Sequence, residues 1–429
     1  MAALCPASAD DARILTLADC LALGRARSVA VANAVRGRAI ADEDIRLIRA
    51  QVYPSLTAHG QYTRLGEETG YTGLPVDTAG NRDQYTASLE AEQLLYTGGS
   101  VRAALRAATS YRDEADLEVA RREADLNRQI ARAYYAVLYR EEAANVARES
   151  VDQLALLERE ARLKFEQQVL SEFEWLSAQV SLANEQPLLT AAENQLALAR
   201  AALRNLLYLD DDAWSLDPAI DAPPVAGDLS ALQALARANR WEIKQARVNL
   251  DVLEADIRVT QGEYLPEIKA FFNYAGSDPY QYDVAGDGWE WQWLAGVRAT
   301  WELLDGGARG ARKMEKGLRK EIAADTILDL ERQVDLEVET ALLQLRQAQR
   351  NLDGAQDTIR LAAKALDISR ARFDKGLATN IEFTDRNLEL NKARIVRMSG
   401  LFEYQAALAD LRYACGTDAL PLQGADDEP

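Results

Sequence analysis

The spacing of hydrophobic and polar residues divides the chain into long helical stretches separated by short alternating segments. Residues 10–54 have helical spacing, and Pro54 must end this stretch because its ring cannot continue a helix. Residues 55–65 and 84–95 instead alternate, with apolar and polar side chains on opposite faces. This alternation predicts two strands, joined by a loop rich in Gly, Thr, Asp and Pro.

After Gly98-Gly99 the helical spacing returns. It predicts a long helix at about 99–167, a tight turn, and a return helix at about 171–208 in which Pro187 should produce a kink or a break. The first of these helices would be on the order of 100 Å long. Because no single globular core spans that distance, we expect long helices packed side by side.

The same order of elements occurs a second time. Pro54 corresponds to Pro266 at an offset of 212 residues (266 − 54), and Gly98 corresponds to Gly306 at an offset of 208 (306 − 98). The second copy is predicted to contain strands at about 267–275 and 289–303, a long helix at about 308–374 and a return helix at about 380–413. The chain is therefore predicted to be two copies of one structural unit.

These patterns predict a mainly α fold with a small β part. The predicted organisation is a first repeat at 10–209, a linker at 210–228, a second repeat at 229–415 and an acidic tail at 416–429. Ala7-Ser8-Ala9 fits a signal-peptidase site, so residues 1–9 are either the remnant of a signal peptide or a disordered tail.

Composition and charge exclude some functions. Of the 429 residues, 27% are charged, and the formal net charge is −19. This charge argues against nucleic acid as a partner, because phosphate binding requires a basic surface. No stretch of about 20 apolar residues occurs, so no membrane-spanning helix is predicted.

The sequence offers no set of residues for catalysis or for metal binding. The one histidine, His59, lies on the polar face of a predicted strand, and no Ser/His/Asp set, phosphate-binding loop or metal-spaced His/Cys cluster occurs. We therefore expect no enzyme, cofactor or metal site. Cys20 and Cys415 could form a disulfide if the two ends of the chain meet, and two buried, unpaired thiols are the alternative.

Aromatic residues concentrate in the predicted strands, above all in the Trp289–Trp293 segment. Its alternation with polar residues is typical of transmembrane strands, which carry aromatic girdles where they meet the membrane surfaces. The candidate girdle residues are Trp289, Trp291, Trp293, Trp301, Tyr62 and Tyr274. A soluble sheet edge rich in tryptophan is the alternative interpretation.

Four strands are too few to close a barrel, and lipid does not tolerate an open sheet edge. The strands must then be shared between chains, giving eight in a dimer or twelve in a trimer. A twelve-stranded barrel is wide enough for a pore, and the polar faces of the predicted strands favour it.

With these features the chain resembles the outer-membrane efflux protein family, the TolC-like channels. The resemblance covers nearly all of residues 13–415 and rests on the duplication, the strand pair after each Pro, the Gly-Gly before each long helix and the turn at 373–385. It implies a homotrimer whose twelve strands form a β-barrel in the outer membrane of a Gram-negative bacterium. It also implies a helical tunnel through the periplasm, docked to a periplasmic adaptor and an inner-membrane transporter.

The resemblance also suggests site residues. An acidic ring at the periplasmic tip would use Glu382 and Asp385, and Glu174 is the corresponding acid of the first repeat (382 − 174 = 208). Adaptor docking would use the turns at about 164–173 and 372–381. Its candidate residues are Phe165, Gln168, Phe373 and Gly376. Because Gln168 stands where the second repeat has Gly376, the two turns are expected to differ in shape.

The implied function is the exit duct of a tripartite efflux pump or a type I secretion system, with no catalysis of its own. The alternative is a soluble periplasmic coiled-coil scaffold or tether. A scaffold would show sustained heptads of large apolar residues, whereas the helical seams in this sequence are irregular and rich in alanine.

Overall fold

The structure is a computed structural model that describes residues 13–64, 83–219, 228–278, 288–375, 377, 380–417 and 420. The chain forms two compact units, and each takes segments from both sequence repeats. Unit 1 consists of Met1–Val35, Glu118–Ile243 and Asp329–Pro429, and unit 2 of Arg36–Leu117 and Lys244–Leu328.

Eight helices occur in the described part of the chain, and they come as two matching sets of four. They are α1 (Leu17–Arg27), α2 (Val29–Ala50), α3 (Ser100–Glu166), α4 (Glu172–Leu207), α5 (Leu229–Asn239), α6 (Trp241–Gly262), α7 (Ala308–Asp374) and α8 (Asn380–Cys415). The long helices α3 and α7 each contain 67 residues, and the return helices α4 and α8 each contain 36. No helix among the described residues has the length and apolar content needed to cross a bilayer.

Unit 2 contains a four-stranded antiparallel sheet. Its strands are β2 (Ser55–Arg64), β3 (Asp83–Thr97), β5 (Glu267–Asp278) and β6 (Glu290–Thr300), in the order β2-β3-β5-β6. Ser55 pairs with Glu92 in the first hairpin, and Glu267 pairs with Thr300 in the second. The repeat offsets (267 − 55 = 212 and 300 − 92 = 208) convert one pair into the other, so the two hairpins have the same register.

Two hydrophobic cores in unit 1 correspond in the same way. One contains Ile130 and Leu203, and the other contains Val338 and Leu411, all fully buried. Both pairs are related by an offset of 208 (338 − 130 and 411 − 203). Each repeat therefore buries the same side of its long helix against the same side of its return helix, which supplies the main apolar stabilisation of this unit.

Arg240 is a buried cation at the start of α6. It is 4% exposed, its guanidinium lies 2.8 Å from Glu242 and 2.7 Å from Glu337, and it donates to the carbonyl oxygen of Ala414 at 3.4 Å. A buried charge is tolerated only when it is paired and hydrogen-bonded, and these partners meet that condition. The network ties the start of α6 to α7 and α8.

The structure decides three questions that the sequence raised. Pro187 does not split the return helix, because α4 is continuous from Glu172 to Leu207 and Pro187 lies exposed within it. The predicted linker contains a strand, β4 (Trp214–Leu216), which pairs in parallel with β1 (Arg13–Leu15). Cys20 and Cys415 are buried and free, so the unpaired alternative is confirmed, and burial raises the pKa of each thiol to about 11.

Candidate functional site

The register of the sheet in unit 2 gathers its apolar side chains on one face. Tyr62 pairs with Tyr85, Leu89 pairs with Tyr274, and Tyr274 pairs with Trp293, so these residues share a face across all four strands. Most of this face is open in the single chain, with Trp293 70% exposed. A continuous exposed apolar face of this kind marks a surface that lipid or a partner covers.

Aromatic rings on this face form a group at the loop end of the sheet. The rings of Tyr274 and Trp291 stack at 5.0 Å, those of Trp289 and Trp291 at 5.5 Å, and Tyr62 lies 5.2 Å from Tyr85. At the helix end, Trp301 donates its indole N–H to the carbonyl oxygen of Tyr264 at 3.1 Å. The structure thus brings the predicted Trp289, Trp291, Tyr62 and Tyr274 to one end and places Trp301 at the other.

Sequence reasoning missed half of this aromatic set. Each strand has an aromatic residue at or near both ends, separated by 9 (62 − 53) to 11 (96 − 85) residues. The pairs are Tyr53 and Tyr62, Tyr85 and Tyr96, Tyr264 and Tyr274, and Trp291 and Trp301. About ten residues span roughly 33 Å along a strand, or roughly 25 Å along the normal of a membrane after a tilt of about 40°. This recurring distance is the signal that could have found the missed residues.

The opposite face of the sheet is polar. His59 lies 3.9 Å from Glu90, and the guanidinium of Arg298 lies 5.0 Å from the centre of the Phe271 ring. His59 therefore occupies the polar face, as its position in the alternating pattern predicts. In the described part of the chain, no three or more His, Cys, Asp or Glu residues are placed to hold a metal ion.

Both edges of the sheet are open within the described residues, since β2 pairs only with β3 and β6 only with β5. β6 ends at Thr300, and Leu303 and Leu304 after it are exposed, Leu304 by 89%. In the first repeat the corresponding residues continue as strand β3 to Thr97, because β5 pairs with them. The residues after Thr300 therefore lack the neighbouring strand that their counterparts have.

Glycines make a close contact where the strands join the helices. Gly98 has a φ of +63°, and a Cβ atom at this position would overlap the carbonyl oxygen of Gly262 and lie 2.9 Å from the Cβ of Leu265.

At the start of α7, the carboxylate of Asp305 accepts a hydrogen bond from the backbone N–H of Arg309 at 2.7 Å. This bond is the main cause that lowers the pKa of the Asp305 carboxyl group.

Equivalent backbone hydrogen bonds close the two helix turns of unit 1. In the first turn, the backbone N–H of Val169 donates to the carbonyl oxygen of Lys164 at 2.9 Å. In the second turn, the backbone N–H of Leu377 donates to the carbonyl oxygen of Arg372 at 2.8 Å. Gln168 has a φ of 61°, a left-handed conformation that favours glycine. The expected difference between the turns is thus not found in the bond that closes them.

Two residues singled out in the first turn have local structural partners. The carboxylate of Glu174 accepts the backbone N–H of Ser171 at 3.2 Å and its hydroxyl at 2.9 Å, which forms a capping box at the start of α4. The half-buried Phe165 stacks on Trp175 at 5.2 Å. The exposed apolar residues of this turn are Val169 (73%) and Phe173 (74%). Neither is among the individual residues predicted for adaptor docking.

In the second turn, Glu382 lies in the first turn of α8 and both Glu382 and Asp385 are exposed. Their spacing places both carboxylates on one face of the helix. Gly376 and the side chain of Phe373 lie outside the described residues. The structure therefore places the predicted acidic pair on the surface.

Comparison with solved structures shows which known proteins share this fold. The fold is shared with the outer membrane protein VceC of Vibrio cholerae (17% identity, 94% of this chain and 96% of that chain, TM-score 0.74) and with the CmeC outer membrane channel of Campylobacter jejuni (15%, 93% and 85%, TM-score 0.77). It is also shared with the MtrE outer membrane channel of Neisseria gonorrhoeae, solved in an open state (18%, 96% and 94%, TM-score 0.73). The chain therefore shares the fold of these outer membrane proteins.

The family follows from the sequence itself. Residues 21–207 and 232–417 match the family described as outer membrane efflux protein, so each repeat is matched along nearly its whole length. The chain belongs to this family, which confirms the resemblance and the mainly α fold with a small β part. The family and the similar structures are channels and not enzymes. A comparison with curated proteins gave no match.

Proposed function

We propose that this chain forms the outer-membrane exit duct of a tripartite efflux pump or a type I secretion system. The observation that carries the proposal is the exposed apolar face of a sheet with two open edges, in a member of an outer membrane efflux family. The sheet would lie in the outer membrane of a Gram-negative bacterium, with the aromatic rings at its two boundaries. The long helices would extend through the periplasm to an adaptor and an inner-membrane transporter.

The open edges support a homotrimer built from two structural repeats per chain, 10–209 and 229–415. Since the hairpins are equivalent, β6 of one copy can pair with β2 of the next as β3 pairs with β5 within the chain. Applying the offsets to the pair Leu89 and Tyr274 gives Val297 (89 + 208) opposite Tyr62 (274 − 212). This pairing keeps both residues on the apolar face, and three copies give the twelve strands expected for a barrel.

Disulfide cross-linking tests this register. With Cys5 replaced by serine, the pair Val297→Cys and Tyr62→Cys should give covalent trimers on a non-reducing gel after mild oxidation of outer membranes, because the two thiols face each other across a strand pair. The native Cys20 and Cys415 are buried and should not interfere.

Two control pairs test the specificity of this cross-link. The pair Leu89→Cys and Tyr274→Cys should cross-link within one chain and give no covalent oligomers. The pair Val297→Cys and Gln61→Cys should not cross-link, because Gln61 lies on the polar face. Equal cross-linking of Val297→Cys to both partners, or none to Tyr62→Cys, would show that the proposed strand register is wrong.

The turns would form the periplasmic tip. Three copies of Glu382 and Asp385 would place six carboxylates near the axis, which would attract cations. The first-repeat acid Glu174 already caps α4, so we propose a smaller contribution from it. The exposed Val169 and Phe173, with Leu377 of the second turn, would supply apolar contacts to the adaptor beside Phe165, Gln168, Phe373 and Gly376.

Single-channel conductance in a planar lipid bilayer tests the duct and the acidic ring together. The unmodified chain should give discrete, long-lived steps that favour cations. Replacing Glu382 and Asp385 with alanine should reduce the cation preference several-fold, because the fixed negative charge at the constriction is lost. Glu403→Ala, an exposed acid further along α8, serves as the control. Unchanged ion selectivity in the double variant would show that Glu382 and Asp385 do not form an acidic ring. If folded protein gave no conductance steps, the proposal of an open duct would be wrong.

A further inference from the structure

Unit 1 contains a cavity that the proposed function does not use. It has a volume of about 550 Å³ and is walled by α1, α3, the start of α6 and the end of α8. Its polar wall includes Arg25, Arg128 and Arg412, and its one lining carboxylate is Glu123. Three guanidinium groups around one cavity are unexpected in a chain with a net charge of −19.

Two of these cations have no carboxylate partner among the described residues. Arg25 donates from Nε to the neutral amide oxygen of Asn127 at 3.0 Å. The Nε of Arg412 is buried and has no hydrogen-bond partner among the described residues. Arg128, in contrast, is paired with Asp125 at 2.8 Å. A buried donor without a partner costs free energy. An anionic ligand in the cavity would supply the negative charge that these two guanidinium groups lack among the described residues.

The other repeat gives each of these arginines a carboxylate partner. Arg25 corresponds to Arg237 (237 − 25 = 212), whose Nε donates to Asp335 at 2.8 Å, and Asp335 corresponds to Asn127 (335 − 127 = 208). Arg412 likewise corresponds to Arg204 (412 − 204 = 208), which lies 2.6 Å from Asp212.

At the position of Asp212 the second repeat has the buried Leu420 (420 − 212 = 208). Both arginines without a carboxylate partner among the described residues line this cavity, and their paired counterparts lie elsewhere in the chain. The excess positive charge is therefore a local property of the cavity rather than a general feature of the repeat.

The remaining wall is apolar and aromatic. The rings of Trp241 and Tyr413 lie 5.8 Å apart, Arg128 stacks over Tyr413 at 4.1 Å, and Leu17 and Leu21 line the same cavity. A site with apolar walls and a few convergent charged groups is typical of small-molecule binding.

We propose that this cavity binds an organic anion: a carboxylate, sulfonate or phosphate ester carried on an aromatic or apolar body. The anionic group would accept hydrogen bonds from Arg25 and Arg412, and the body would pack between Trp241 and the leucines of α1. The site is formed within one chain and does not depend on the proposed duct.

Isothermal titration calorimetry on the full chain in detergent tests the site, with 1-naphthoate as the probe. We expect saturable binding of 1-naphthoate, at least tenfold weaker binding of the uncharged 1-naphthamide, and weaker binding of inorganic phosphate, which lacks the apolar body. Asn127→Asp should reduce 1-naphthoate affinity at least tenfold without unfolding, because it gives Arg25 the carboxylate that Arg237 has.

Asn145→Asp is the matched control. Like Asn127, Asn145 lies on α3 and accepts a hydrogen bond from an arginine, in this case Arg148 at 3.3 Å. Because Asn145 does not line the cavity, the Asn145→Asp variant should bind 1-naphthoate normally. Equal affinity for 1-naphthoate and 1-naphthamide, or the same loss in both aspartate variants, would overturn the proposal. Binding that appears only after removal of residues 421–429 would also overturn it, since the acidic tail would then be the resident occupant.

Discussion

Replacing Arg240 with methionine is expected to cost about 3 kcal/mol of unfolding free energy. The substitution keeps most of the apolar stem but leaves Glu242 and Glu337 without their shared cation. Breaking a buried ion pair by removing one partner costs about 3–5 kcal/mol, and we expect the lower end because the Glu337 side chain is 38% exposed. Unfolding in guanidinium chloride, followed by far-UV circular dichroism, would measure the loss of unfolding free energy.

Arg237→Met is the matched control for that experiment. Arg237 lies three residues earlier and also pairs with a carboxylate of α7, Asp335, but its side chain is half exposed. Removing an exposed pair should cost less than about 1 kcal/mol. If both variants lost the same stability, burial would not be what makes the Arg240 network important.

Gly98→Ala is expected to destabilise unit 2 by roughly 3 kcal/mol and to lower the yield of folded protein. Alanine at a φ of +63° costs about 1–2 kcal/mol, and its methyl group would also overlap the carbonyl oxygen of Gly262. Neither backbone can move freely, because Gly98 follows β3 directly and Gly262 ends α6. The midpoint of thermal unfolding in detergent would report the effect.

A Gly99→Ala variant separates the conformational from the steric contribution to that loss of stability. The φ of Gly99 is +88°, but a Cβ atom there would meet no other atom within 4 Å. Gly99→Ala should therefore show the conformational cost alone, about 1–2 kcal/mol. A Gly98 variant no worse than the Gly99 variant would contradict the steric explanation.

Long elements were predictable because their patterns repeat many times. The predicted long helix at about 99–167 is observed at Ser100–Glu166, since over such a length the helical period and the Gly-Gly start leave little freedom. The three-residue strands β1 and β4 were missed, because three residues carry no measurable period. Their pairing depends on contacts between segments about 200 residues apart in sequence, which local patterns do not encode.

Site features were predictable only where they followed from strand alternation. The shared face of Tyr62, Tyr274 and Trp291 follows from period-two spacing, and the register shows it directly. Glu174 was selected for its charge, but whether a carboxylate three residues after a serine points outward or caps its own helix depends on local backbone geometry. The arginine cavity was also missed, because its members come from four helices and only the comparison of repeats shows what each one lacks.

The equal lengths of the helices restrict how this chain can be altered. Both long helices have 67 residues and both return helices have 36, although their sequences have diverged. Deleting one residue from a helix rotates everything beyond it by about 100°, which would turn buried positions such as Ile130 outward. Epitope tags and length changes should therefore be tolerated in the connections between strands, where the copies already differ in length, and rejected within the helices.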